Sequence, residues 1–260
     1  TISSASQQQF FTRNSKMSSW DGQNWNMVFV GDEGAPTNDS DYPKSANTVI
    51  GESPITREKP FLNIDNNGNY SVFVPGVQHN TKGVSWENGI GAGTSLSIDQ
   101  FVIAKPETAT AQSLNQALSQ GKNIIFTPGI YNLSEALNVT KPNTVIMGLG
   151  FATLSPVNGT AAIKVADVDG VNISGLLFEA GTKNSPQLLE VGEPGSSKDH
   201  SSNPTTLSDL VFRVGGQDVG KADACMVINS NDVIGDQFWV WRADHGNGVG
   251  WDVNVCNNGV

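Results

Sequence analysis

Four stretches in the second half of the chain repeat one order of apolar and polar positions: an aliphatic residue, any residue, Gly or Asp, two mostly apolar residues, then an aromatic. They begin at Ile146, Ile173, Leu207 and Ile234 and end on Phe151, Phe178, Phe212 and Trp239. Their starts lie 27, 34 and 27 residues apart. The longer interval holds the polar run from Gly192 to His200, which reads as a loop. Without it the period is about 27, within the range of solenoid repeats. A unit this small cannot bury its apolar face alone, so neighbours must stack. The pattern predicts coils of a right-handed parallel β-helix from about Asn143 onward. The alternative is unrelated strands of a β-sandwich.

Stacking in that register predicts contacts. Glu179 and Arg213 both follow the aromatic and are expected to pair. Asp209 and Asp236 share the third position and are expected to approach each other, either as a carboxylate site or as two solvated turn residues. One further period after Ile234 puts the next coil at about residue 261, so a second chain or a C-terminal remainder is expected to complete the stack.

Residues 1–105 carry short β-like runs separated by turns, and a boundary is drawn at Lys105-Pro106. Phe61–Ile64 and Tyr70–Val74 flank Asp65-Asn-Asn-Gly-Asn69, a hairpin signal because Asn-Gly tolerates positive φ. The same loop has part of the spacing of a calcium site. It lacks the leading Asp and the bidentate Glu, so the hairpin is preferred. Gly89–Gly93 has no Lys-Ser/Thr after it and does not make a phosphate loop. Thr108–Gln120 reads as one helix, with Leu114 and Leu118 on one face and Gly121 as a stop. Residues 106–260 are then a capping helix followed by the first coils, because the open end of a β-helix must be covered.

Composition agrees with an all-β chain: 28 glycines and only 15% charged residues suit many turns and few surface helices. A net charge of −10 disfavours nucleic acid, whose phosphates it would repel. No run approaches the ~20 apolar residues of a membrane-spanning helix. The opening residues are polar and show no signal peptide, which suits a processed secreted protein and a cytosolic one equally. Asn38, Asn69, Asn132, Asn138, Asn158 and Asn172 each begin an Asn-X-Ser/Thr acceptor, little more than chance supplies in so Asn-rich a chain. Cys225 and Cys256 are the only cysteines, either a disulfide or two buried thiols.

The run Gly121–Tyr131 and coils such as Val171–Gly181 resemble the pectate-lyase-like (pectin-lyase-like) β-helix superfamily. The segment Trp241–Asn254, with Val28–Asp32 and Arg57–Phe61, is similar to secreted bacterial and fungal proteins often labelled adenylyl cyclase or coagulation factor 5/8-type. No nucleotide or metal motif supports cyclase chemistry. Among characterised enzymes the chain resembles the β-1,3-glucanases of glycoside hydrolase family 55. That resemblance implies a secreted carbohydrate-active enzyme on a neutral glucan. It carries no residue-level motif.

Glycoside hydrolysis needs a carboxylic acid for the leaving oxygen and usually a second carboxylate. The densest polar cluster is Arg242, Asp244, His245 and Asp252, framed by Trp239, Trp241 and Trp251. Indole faces stack on sugar rings while charged groups bind hydroxyls. Asp244 and Asp252 are the candidate acid and base, and Arg242, His245 and the three tryptophans the candidate substrate contacts. The alternative reading is that Arg242 and Asp244 pair with each other and that 246–250 is only the turn between coils. His79, His200 and His245 lack metal-ligand spacing, no Gly-x-Ser-x-Gly elbow is present, and no cofactor is expected. A calcium-assisted pectate lyase is disfavoured by the negative charge. The rival from another class is a non-catalytic glycan- or cell-wall-binding β-helix protein.

Overall fold

The computed structural model describes residues 2–3, 10–21, 27–36, 47–216 and 218–243 of the 260. It divides into two compact units, residues 1–58 with 75–94 and residues 59–74 with 95–260.

In the larger unit, Phe101–Ala104, Asn123–Phe126, Val145–Pro156, Asn172–Glu179, Thr205–Val214 and Val233–Arg242 lie side by side in chain order, all parallel. Ile130–Leu133 pairs with the far half of Val145–Pro156. A second parallel sheet runs Leu137–Val139, Ile163–Val165, Ser185–Val191, Ala222–Ile228. Successive coils thus give one strand to each sheet, the arrangement of a right-handed β-helix. Parallel strands need crossover connections, and here the other half of each coil is the crossover.

The interior is a set of ladders. Ile124, Ile146, Ile173 and Leu207 stand one above another, and Leu137, Ile163, Leu189 and Met226 form a second column. All eight are buried. Phe178 lies over Phe212 with ring centroids 4.8 Å apart and planes 10° from parallel. Such pairing of like residues across coils is the unit of sheet stabilisation. Glu179 and Arg213 pair as the register predicts: Arg213 Nε donates to Oε1 at 3.1 Å and Nη2 to Oε2 at 2.7 Å.

Two parts of the repeat depart from expectation. Between Met147 and Ala152 the strand bulges, with Gly150 and Phe151 at φ 55° and 61°. Leu154, not Phe151, therefore takes the column of Phe178, and Phe151 turns out to solvent. The fourth segment is shifted by one residue: Leu207 pairs with Gly235 and Phe212 with Val240. Asp236 consequently stands beside Ser208, so it does not share a position with Asp209.

The helix spans Ala111–Ser119, starting later than the periodicity suggests. Thr110 caps it, accepting from Ser113 N–H at 3.1 Å while its own N–H donates to Ser113 Oγ at 3.0 Å. Ala111, Leu114 and Leu118 bury into the main core, and Ala117 is buried on the same helix. Residues 61–75 form the hairpin, with Phe61 opposite Phe73. Asp65 accepts from the N–H groups of Asn67 (2.8 Å) and Asn69 (2.9 Å), so its carboxylate is engaged in closing the turn. The Asn69 side-chain amide, donating to Asp65 Oδ2 at 2.9 Å, and then the backbone bonds hold its pKa below the usual carboxylate range.

In the smaller unit, Phe10–Arg13, Met27–Val30 and Asn47–Ile50 are also parallel and in register, over a core of Met17, Met27 and Phe29. Four-residue strands at uneven intervals leave no period to find in the sequence. No helix of the described residues is long and apolar enough to cross a membrane.

Of the sequon asparagines, Asn69, Asn132, Asn138 and Asn158 are exposed. Asn172 is a correction: it is 1% exposed inside a coil and its Nδ2 donates to Gly170 O at 2.8 Å, which leaves no room for a glycan in the folded chain. Asn38 lies outside the described residues. Cys225 is buried, and Cys256 lies outside the described residues.

Candidate functional site

At the same place in three successive coils the backbone turns left-handed, at Gly175 (φ 67°), Asp209 (52°) and Gln237 (60°). A left-handed residue kinks a strand, and stacking the kinks makes a groove perpendicular to the strands. Gly175 is required there: a Cβ would fall 2.6 Å from Gly148 O, and one on Gly148 would fall 2.4 Å from Gly175 O. Asp and Asn are the side chains that best tolerate this conformation, which accounts for Asp209.

The groove holds about 450 Å³. Gly148, Gly175, Asp209 and Gln237 are among the residues that line it, with Leu177, Val211 and the large exposed rings of Phe151 and Trp239. Phe151 is 85% and Trp239 65% exposed, far more than large aromatics usually show. Asp209 is the one ionisable side chain of this lining, and it is ion-paired with Lys59. One step along the strands, the outward column holds Glu179, Arg213 and Trp241, so a charged fork and a second indole follow directly after Leu177, Val211 and Trp239. Apolar rings beside hydroxyl-binding polar groups suit a carbohydrate.

The sequence-chosen residues separate. Trp239 lines the groove, and Trp241 lies two residues on, on the same face. Arg242 pairs with the fully buried Val214, so strand alternation puts it on the opposite, inner face. The predicted grouping of Arg242 with these two tryptophans is not formed along this strand. Asp244, His245, Trp251 and Asp252 lie outside the described residues. The sequence pattern marks neither Phe151 nor Gln237 as a ligand contact, and marks Asp209 only as half of a possible carboxylate pair with Asp236. Gly175 and Asp209 hold the "Gly or Asp" position of the repeat at positive φ, whereas Phe151 fills the aromatic position and Gln237 the one after Asp236.

Residues 101–260 match the family model described as the LAM55 pectate lyase-like domain. The chain belongs to this family. It is 49% identical over 255 residues to an exo-β-1,3-glucanase of Streptomyces sp. (strain SirexAA-E / ActE), an alignment covering 98% of this chain and 42% of that protein. It superposes on the structure of sacteLam55A from Streptomyces sp. SirexAA-E with a TM-score of 0.92 and 47% identity, over 98% of this chain and 48% of that one. A glucose complex of a variant of the same protein gives 0.91 and 47%, over 96% and 46%. The LAM55 chain described here therefore spans less than half the length of these relatives.

Proposed function

We propose that this chain is the glucan-binding β-helix of a secreted LAM55 hydrolase acting on β-1,3-glucan. The observation that carries the reading is the aromatic-lined groove across the coils, in a chain 49% identical to an exo-β-1,3-glucanase. A neutral glucan fits a lining whose single carboxylate is already paired with Lys59. The acid/base pair is assigned to Asp244 and Asp252, which come after Trp239 and Trp241 in the sequence. A C-terminal remainder or a second chain completes the β-helix and the cleft. Asn69, Asn132, Asn138 and Asn158 are the acceptors exposed enough for glycans.

The test is release of reducing sugar or glucose from β-1,3-, β-1,4- and α-1,4-glucans by the assembly that includes the remainder. Release from the β-1,3 polymer alone is expected. Binding without release would leave a non-catalytic glycan-binding protein, the reading that a groove with one paired carboxylate also supports. Products absorbing in the ultraviolet would mean a lyase.

Trp239→Ala is expected to weaken binding to β-1,3-glucan about 10-fold, and adding Phe151→Ala about 100-fold, from roughly 1–1.5 kcal/mol per stacking ring. Both side chains are mostly solvent-exposed, so thermal stability should hold within a few degrees. Calorimetric titration with laminari-oligosaccharides checks this, and unchanged affinity in the double variant would remove the groove from the site.

A further inference from the structure

We infer that His200 is a proton-operated staple across three consecutive turns of the β-helix: as an imidazolium it pins the 192–204 loop to the turns at 166–170 and 229–232, and on losing its proton it lets that loop go. The inference does not rest on the proposed function.

His200 is 2% exposed, although it sits in the polar insert between two coils. Its Nδ1 lies 2.6 Å from Asp169 Oδ1 and its Nε2 2.9 Å from Asp167 Oδ1. A neutral imidazole has one N–H and one lone pair. Facing two carboxylates, it would satisfy one and turn its lone pair against the other. Only the doubly protonated ring donates to both, and such charge-assisted bonds are about twice as strong as neutral ones.

The rest of the cluster is built around that cation. His200 N–H donates to Asp232 Oδ2 at 2.9 Å, across to the next turn. Ser230 Oγ donates to Asp167 Oδ1 at 2.8 Å. Lys198 donates from Nζ to Asp167 O at 2.8 Å and from its backbone N–H to Asp167 Oδ2 at 3.2 Å. The charged groups near the ring are thus Asp167 and Asp169 from the turn below, Asp232 from the turn above, and Lys198 and Asp199 from its own loop. Four carboxylates face one lysine, so the imidazolium supplies charge the cluster otherwise lacks. The hydrogen bonds the ring donates to Asp167 and then to Asp169 raise the His200 pKa above 6.5 against the opposing effect of burial. His200 and Ser230 in turn hold Asp167 down at about 2.

The direction with pH follows. A raised histidine pKa gives stability that is fully present below about 6.5 and is lost as pH climbs through the folded-state value. A depressed aspartate pKa gives stability that is present above about 4 and is lost as pH falls towards 2. The staple is therefore strongest between about pH 4 and 6.5 and opens on the alkaline side. The same turns lead into Asn172–Glu179, Thr205–Val214 and Val233–Arg242, the strands whose kinks line the groove.

The experiment is an NMR titration of the His200 ring nitrogens in the full chain. Alongside it, amide protection factors, corrected for intrinsic exchange, are measured at Lys198, His200 and Asn203. The ring should titrate above about 6.5. Protection at the three amides should fall roughly 10-fold or more as pH rises through that midpoint, while core amides such as Ile173 hold. H200Q should show the low protection at every pH. D169N alters a half-exposed partner, leaves the fold intact and should lower the midpoint. A midpoint at or below 6.5, protection that ignores the titration, or a D169N midpoint equal to that of the native chain would each overturn the staple, even if H200Q fails to fold.

Discussion

Phe212→Ala is expected to destabilise the chain by about 3–5 kcal/mol, the range for emptying a fully buried phenylalanine site. Phe212 is 0% exposed and sits between Phe178, with which it stacks, and Val240 of the next coil. The loss combines transfer, cavity and ring-stacking terms, because neither neighbour can move into the space without leaving its own strand register. In a solenoid each coil touches only its neighbours, so damage concentrates there. Exchange protection should collapse over 205–242 before it changes near the capping helix. Urea unfolding measures the total, with Phe212→Leu as a control expected to lose under about 1.5 kcal/mol. An alanine variant within 1 kcal/mol of the native chain would contradict the stacked core.

Gly175→Val is the second large effect, and here backbone rather than packing decides. The position needs φ 67°, which a β-branched residue avoids, and the new Cβ would meet Gly148 O at 2.6 Å. Strain of about 1–3 kcal/mol and overpacking of about 1–3 kcal/mol add, so about 2–6 kcal/mol is expected. Gly175→Asn separates the two terms. Asparagine accepts the left-handed conformation but still collides with Gly148 O, so it too should fall by about 1–3 kcal/mol. Asp209→Gly, at the same place one coil on, should fold normally and lose only the Lys59 pair. Urea midpoints of the three variants check the order, and an asparagine variant as stable as the native chain would mean the two glycines do not pack so closely.

The parallel coils are legible because inward residues repeat at nearly fixed intervals: Ile146, Ile173 and Leu207 carry one requirement three times, and Phe178 and Phe212 carry another twice. The same periodicity predicts the Glu179–Arg213 pair that the structure forms. It failed where a coil gains or shifts a residue. Phe151 and Trp239 fill the aromatic place of the pattern, yet the bulge after Met147 and the one-residue offset of the last strand turn both outward. An alternation read from sequence has no way to count a bulge, since one extra residue reverses every side chain that follows.

By itself, then, the sequence determined the stack, the Ile146–Ile173–Leu207 column and the presence of one short helix, because those follow from apolar residues that must be buried at a regular spacing. Only the tertiary structure decided which aromatics leave the core to line the groove, that Arg242 faces away from Trp239 and Trp241, and that His200 is enclosed by Asp167, Asp169 and Asp232. The His200 cluster joins residues 31 to 33 positions apart through an inserted loop that carries no period, and the facing of Arg242 depends on the register its strand takes against the coil before it. Their geometry exists only once the coils are stacked.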